Sequence, residues 1–187
     1  MKVKFLDKNK PTANELLHFF QVEFPDLAEP MMTCSHAVTT TEPNPYHTES
    51  QIFAHTCMVL QRAEIESEEN YNKIPLITAL LHDIGKPESM IEIPFNQKKP
   101  VYTESNQNRN DGKNDGEHSG LQKVIPKSGL KRAFRGHEGL SFYKAIEIVN
   151  ALEKEGVLNL KEKKEVLTII STHGTLFDSI GNVRDYD

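Results

Sequence analysis

The stretch from Ile74 to Asp83 constrains this chain most. Leu76, Ile77, Ala79, Leu80 and Leu81 follow Pro75, which suits a first helical turn, and the run predicts an apolar helix. That helix closes on His82-Asp83, with Gly85 as the expected stop and Lys86-Pro87 beyond it. Burying an imidazole beside a carboxylate is unfavourable unless both are partnered, so a metal site is the first hypothesis. Adjacent residues stand about 100° apart around a helix and cannot share a narrow stripe. At a helix end, both can reach inward. Taken alone, a His-Asp pair is a weak signal, because a buried histidine is more often satisfied by a carbonyl.

Further histidines strengthen it. Thr48 and Gln51 form a plausible capping box ahead of a helix on which Ile52, His55, Val59 and Ala63 recur at spacings of three and four, placing His55 on the core face. Phe134-Arg135-Gly136-His137-Glu138-Gly139 precedes a helical pattern through Tyr143, Ile146, Val149 and Leu152. His173 ends another, behind Val166, Leu167, Ile169 and Ile170. Histidines at such positions converge if the helices pack as one bundle, which is how bundle proteins build metal centres.

His47-x-Glu49 followed by His55-Thr56, then His82-Asp83-Ile84-Gly85-Lys86-Pro87, then Gly136-His137-Glu138, resembles the HD-domain superfamily of metal-dependent phosphohydrolases. The likeness is narrower to the HD domains of bacterial tRNA nucleotidyltransferases and their stand-alone relatives, and it runs from about Asn44 to His173. It implies an all-α HD-type helical bundle with His55, His82 and Asp83 as metal ligands. His137 and His173 match in order the extra ligands of two-metal members, with Asp83 bridging. It also supports Lys86 at a substrate phosphate; Arg135, in the basic stretch ahead of Gly136, and His47 are the other phosphate candidates, and Glu138 is placed to orient His137 or a water. His82, Asp83, Lys86 and Glu138 are thus the expected catalytic set. The family's distal aspartate has no clear match. Asp178 is the chosen substitute, with Asp185 and Asp187 as alternatives, and the chain is expected to be a short HD protein with an altered last ligand or the amino-terminal piece of a longer one.

The function implied is hydrolysis of a phosphomonoester or phosphodiester in a nucleotide, a 2',3'-cyclic nucleotide or an RNA end. One or two divalent ions serve as cofactor, drawn from Mn, Fe, Co, Ni, Mg or Zn. Two alternatives stay open: a non-catalytic or regulatory HD module of a larger nucleic-acid-processing enzyme, and a di-iron HD-type oxygenase. A net charge of -5 argues against general DNA or RNA binding, although Lys123, Lys127, Lys131, Arg132 and Arg135 make a local basic stretch.

The 187 residues are read as one domain, with a helical core over about 12-24 and 44-180. Thr12 and Glu15 predict a capped helix to Glu23, whereas Pro25 to Pro45, with a structural His36, reads as an irregular connection. Asn96 to Gly120 has almost no apolar residue and predicts a mobile insertion, flanked by a short hairpin of Glu92-Phe95 with Pro100-Tyr102. His118, within it, is not expected to be a ligand. The charged run Lys161-Glu165 reads as a solvated helix start. No apolar run is long enough for a membrane span, no signal-type h-region follows Met1, and Cys34 and Cys57 lack a Cys-x-x-Cys spacing. A cytoplasmic protein with free thiols is expected.

Overall fold

The computed structural model describes residues 6–36, 51–94, 101–104, 121–124 and 130–174. The fold is all-α, with two small β-ribbons. Thr12 starts the first helix, α1 (Ala13–Glu23). Its hydroxyl accepts from the Glu15 N–H at 3.2 Å while the Glu15 carboxylate accepts from the Thr12 N–H at 2.8 Å, the reciprocal capping that Thr-x-x-Glu predicts. Leu16, Phe19 and Phe20 face the core. The chain then turns at Phe24 into α2 (Pro25–Thr33), where Pro25 occupies the first turn and Ala28 and Met31 are buried. The irregular connection expected from Pro25 is therefore a helix as far as Thr33, because a proline at that position lacks only an N–H that would have had no helical partner.

Helix α3 (Ile52–Glu66) begins with Gln51 itself as N-cap and no side-chain cap, in place of the expected Thr48-Gln51 box. Thr48 lies outside the described residues. The buried stripe is Ile52, Thr56 and Leu60, which leaves His55 on its flank, partly exposed beside the core. Helix α4 (Lys73–Leu81) is capped by Asn72, whose side chain accepts from the Ile74 N–H at 3.0 Å. Six of its residues are buried, and it packs against α1, α3 and α7. This is the central helix that the apolar run foretold.

After His82 the chain makes a tight turn into α5 (Lys86–Ser89). Gly85 is not a left-handed stop, since its φ is -85°. Its role is close approach: a Cβ there would lie 2.5 Å from Ser141 N and 2.6 Å from His137 O of α6 (His137–Lys154). The Gly85 N–H also donates to Ser141 Oγ at 2.9 Å. This contact rotates α6 relative to the expected stripe. Ser141, Ala145, Ile148, Val149 and Leu152 are buried, whereas Tyr143 is 72% exposed.

Gly156, at φ 77°, ends α6, and the Val157 N–H reaches back to Leu152 O at 2.8 Å. Asn159 and Glu162 then form a capping box on α7 (Leu160–Thr172). The charged run in its first turns is more than a solvated face. Glu162 pairs with Lys73 of α4 at 3.2 Å, and Lys163 with Glu153 of α6 at 2.7 Å.

Among the described residues between α5 and α6 lie four strands, β1 (Met90–Pro94), β2 (Val101–Glu104), β3 (Leu121–Val124) and β4 (Leu130–Phe134). The expected β1–β2 hairpin does not form. β1 pairs antiparallel with β4 and β2 with β3, as nested rungs within one residue of a common register. Glu92 sits opposite Arg132, and their 3.2 Å ion pair favours the longer-range partner. Of the expected mobile insertion, 101–104 is thus strand backbone, and 105–120, with His118, lies outside the described residues.

The buried apolar residues form one cluster reaching from Leu6 to Ile170. No helix among the described residues is long and apolar enough to cross a membrane.

Gly85→Ala is expected to lower unfolding free energy by about 1–3 kcal/mol, the usual scale for overpacking against atoms that cannot give way. Gly139→Ala, where a Cβ meets nothing within 4 Å, should be neutral or stabilising by up to about 1 kcal/mol. Urea denaturation of the two variants checks the contrast; equal behaviour would refute the close-approach role.

Candidate metal centre

Three histidines reach the site by the same local device. His82 caps α4 and lies 2.8 Å through Nδ1 from Ala79 O, His137 opens α6 and lies 2.7 Å from Phe134 O, and His173 caps α7 and lies 2.6 Å from Ile170 O. A carbonyl only accepts, so the hydrogen-bond pattern assigns the proton to each Nδ1. Each Nε2 therefore presents a lone pair inward, the tautomer and orientation that metal-bound histidines adopt. His55 adds a fourth imidazole from the first turns of α3.

They surround Asp83, which is 1% exposed. Its Oδ2 lies 3.2 Å from His82 Nε2, 3.9 Å from His55 Nε2 and 2.8 Å from Lys86 Nζ. Its Oδ1 lies 3.5 Å from His137 Nε2 and 3.9 Å from His173 Nε2. Two ligand groups result, His55-His82-Asp83 and Asp83-His137-His173, each with donor atoms within 4.8 Å of one another. Asp83 belongs to both.

The donor set fits cations. His137 Nε2 and His173 Nε2 stand 3.1 Å apart, and with both Nδ1 atoms protonated, two lone pairs oppose each other. A cation or shared proton relieves that repulsion. Oδ2 of Asp83 makes no directed hydrogen bond; the Lys86 contact at 2.8 Å is an ion pair set off the hydrogen-bonding direction. Burial alone pushes the Asp83 carboxyl up, but His82, when protonated, and Lys86 outweigh it and hold the group well below the ordinary carboxylate range. Burial and the neighbouring His82 and His137 push His173 down, against the opposite pulls of Ile170 O and Asp83, so its neutral, ligating form is favoured.

Lys86 is buried at 7% exposure, rather than capping a helix end in solvent. Its Nζ lies 3.1 Å from His36 Nε2 and 5.6 Å from the centre of the Phe134 ring. His36, read from sequence as an isolated structural histidine, is 2% exposed and packs edge-on against both His55 and Phe134. No periodicity marks it. It is brought in by the Ser35–Gln51 bridge and by Arg132, whose guanidinium donates to Ser35 O at 2.8 Å.

The remaining expectations divide. Glu138 lies 3.5 Å from His137 Nδ1, although that nitrogen is already directed at Phe134 O. The Glu138 side chain lies against Gly174, where a Cβ would come within 2.9 Å of its Cδ. Arg135 is exposed, whereas Arg132 is committed to Glu92 and Ser35. His47, Asp178, Asp185, Asp187 and the side chains of Lys123, Lys127 and Lys131 lie outside the described residues. Comparisons with family models, curated proteins and solved structures found no match.

Saturating Mn, Co, Ni or Zn is expected to raise the melting temperature of the metal-free protein, with about 2.7 kcal/mol of stabilisation at 100 times Kd. Asp83→Ala should abolish the rise, which differential scanning fluorimetry reads directly. In metal-free protein, the lowered His173 and Asp83 pKa values make the unfolded chain bind more protons. The His173 contribution is fully present above about pH 6.5 and is lost as pH falls through its lower folded value. The Asp83 contribution is lost only further down, below the ordinary carboxylate range. A pH series of urea melts showing no decline on acidification would contradict both shifts.

Proposed function

We propose that the protein is a metal-dependent phosphohydrolase of the HD type, acting on phosphomonoester or phosphodiester bonds of nucleotides, 2',3'-cyclic nucleotides or RNA ends. The observation that carries this reading is Asp83, one buried carboxylate facing two histidine pairs with an ammonium beside it. His55, His82 and Asp83 would hold one cation, and Asp83, His137 and His173 a second, with Asp178 as the proposed distal ligand. When bound, such cations supply Lewis acidity toward a phosphoryl oxygen and lower the pKa of a coordinated water. Imidazole-rich donors suit Mn, Fe, Co, Ni or Zn better than Mg.

The chain's own groups fit the remaining tasks. The carbonyls of Ala79, Phe134 and Ile170 fix the tautomers of His82, His137 and His173, so no proton has to leave these rings before ligation. Arg135, exposed two residues before His137, offers a planar donor to a phosphate, with His47 as a further proposed contact. Glu138, partly exposed, is the proposed acceptor for a proton from the attacking water. A net charge of -5 favours a small substrate or a strand end over a long duplex. A cytoplasmic location is proposed with it.

A di-iron oxygenase would draw on the same histidines. Arg135, an exposed cation suited to phosphate, favours hydrolysis.

The test is hydrolysis of bis-p-nitrophenyl phosphate and a 2',3'-cyclic nucleotide by metal-free protein with added Mn, Co, Ni or Mg. Turnover should require metal, and Asp83→Ala should lower kcat/KM more than about 100-fold, since even outer partners of a metal ligand are worth roughly 10–100-fold. Binding of metal with no turnover on either substrate would favour the regulatory module. Oxygen consumption by the iron-loaded protein would favour the oxygenase.

A further inference from the structure

The two halves of the centre are electrostatically unequal. On the Oδ1 side of Asp83, the His137 and His173 Nε2 atoms face each other at 3.1 Å, and neither has an ion-pair contact with a lysine or arginine among the described residues. Donors that repel one another until a cation joins them make a strongly attracting position. On the Oδ2 side, the Lys86 ammonium already sits 2.8 Å from the oxygen that His55 and His82 would share with a metal. A divalent ion arriving there must displace it or sit beside a like charge in a poorly solvated site.

The displaced ammonium has somewhere to go. His36 Nε2 is already 3.1 Å from Lys86 Nζ, and the Phe134 ring lies on a further side at 5.6 Å. Both are fixed by packing, because His36 stands edge-on to Phe134 and to His55. Lys86 can therefore give up Asp83 without leaving its pocket.

We infer that the centre fills in two unequal steps, first at Asp83 Oδ1 with His137 and His173, then at Oδ2 with His55 and His82, and that Lys86, held by His36, sets the gap between them. His36 is thus a positioning residue acting through Lys86. The inference rests on the reading of this cluster as a two-cation centre, and on nothing about the substrate.

The test is titration of the metal-free full chain with Co(II), followed by its visible spectrum and by calorimetry, with folding of each variant checked by circular dichroism. Wild type should bind two equivalents in resolved steps. His137→Ala should remove the tighter step and His55→Ala the weaker one. Lys86→Met should tighten the second step roughly tenfold and leave the first in place, since it removes one like charge at short range. His36→Ala should weaken the second step, and His36→Gln, which keeps an acceptor, should restore it.

Loss of the tighter step in His55→Ala, or an unchanged gap in Lys86→Met, would overturn the inference while leaving the metal centre standing. A wild type that binds no metal would overturn both. If Lys86→Met does not fold, the contrast between His137→Ala and His55→Ala still decides the order.

Discussion

Asp83 is a carboxylate at 1% exposure, and much of the architecture acts to keep it charged there. Burial on its own favours the neutral acid, and an unpaired charge in such a place would be strongly destabilising. Opposition comes from Lys86 at 2.8 Å and, when it is protonated, from His82 at 3.2 Å, while four segments bring imidazoles around the carboxylate. α4 ends at the site, α6 begins there, α7 ends there, and α3 passes it within its first turns. α4, α6 and α7 supply imidazoles at their ends, where the carbonyl three residues earlier accepts a hydrogen bond from Nδ1–H. This geometry explains why His82, His137 and His173 share one hydrogen-bonding pattern despite having no common sequence context.

Gly85 joins that centre to the packing. With Ser141 N and His137 O at 2.5 and 2.6 Å from the position a Cβ would take, the turn after Asp83 and the start of α6 are in backbone contact. The same contact turns α6 so that Ser141 faces inward and Tyr143 outward. Site geometry and helix packing are consequently one problem, and a side chain at Gly85 would disturb both.

The convergence of these side chains is legible in the sequence because each histidine lies on or at the end of a strongly patterned helix. Position relative to a helix terminus survives small errors in phase, so His55, His82, Asp83, His137 and His173 converge as expected even though the buried stripes of α3 and α6 are turned from the predicted ones. His36 was not legible. It reaches the site through a bridge between Ser35 and Gln51 and a cross-link from Arg132, long-range contacts that leave no period behind. The ribbon pairing was missed for a similar reason, since proximity in sequence favours β1 with β2, whereas the Glu92–Arg132 ion pair supports β1 with β4. Lys86 follows the His-Asp pair in sequence and stands beside Asp83 in the fold. Its burial against Asp83 and His36, in place of an open stance toward substrate, comes from the tight turn at Gly85, a long-range packing effect that leaves no mark in the local sequence.

The central claim is that one carboxylate is shared by two cation positions. Low-temperature electron paramagnetic resonance of the protein loaded with two equivalents of Mn(II) tests it most directly. A shared Asp83 predicts a multiline, exchange-coupled signal that disappears in Asp83→Ala. An isolated six-line Mn(II) signal at full loading, unchanged by that substitution, would contradict the claim.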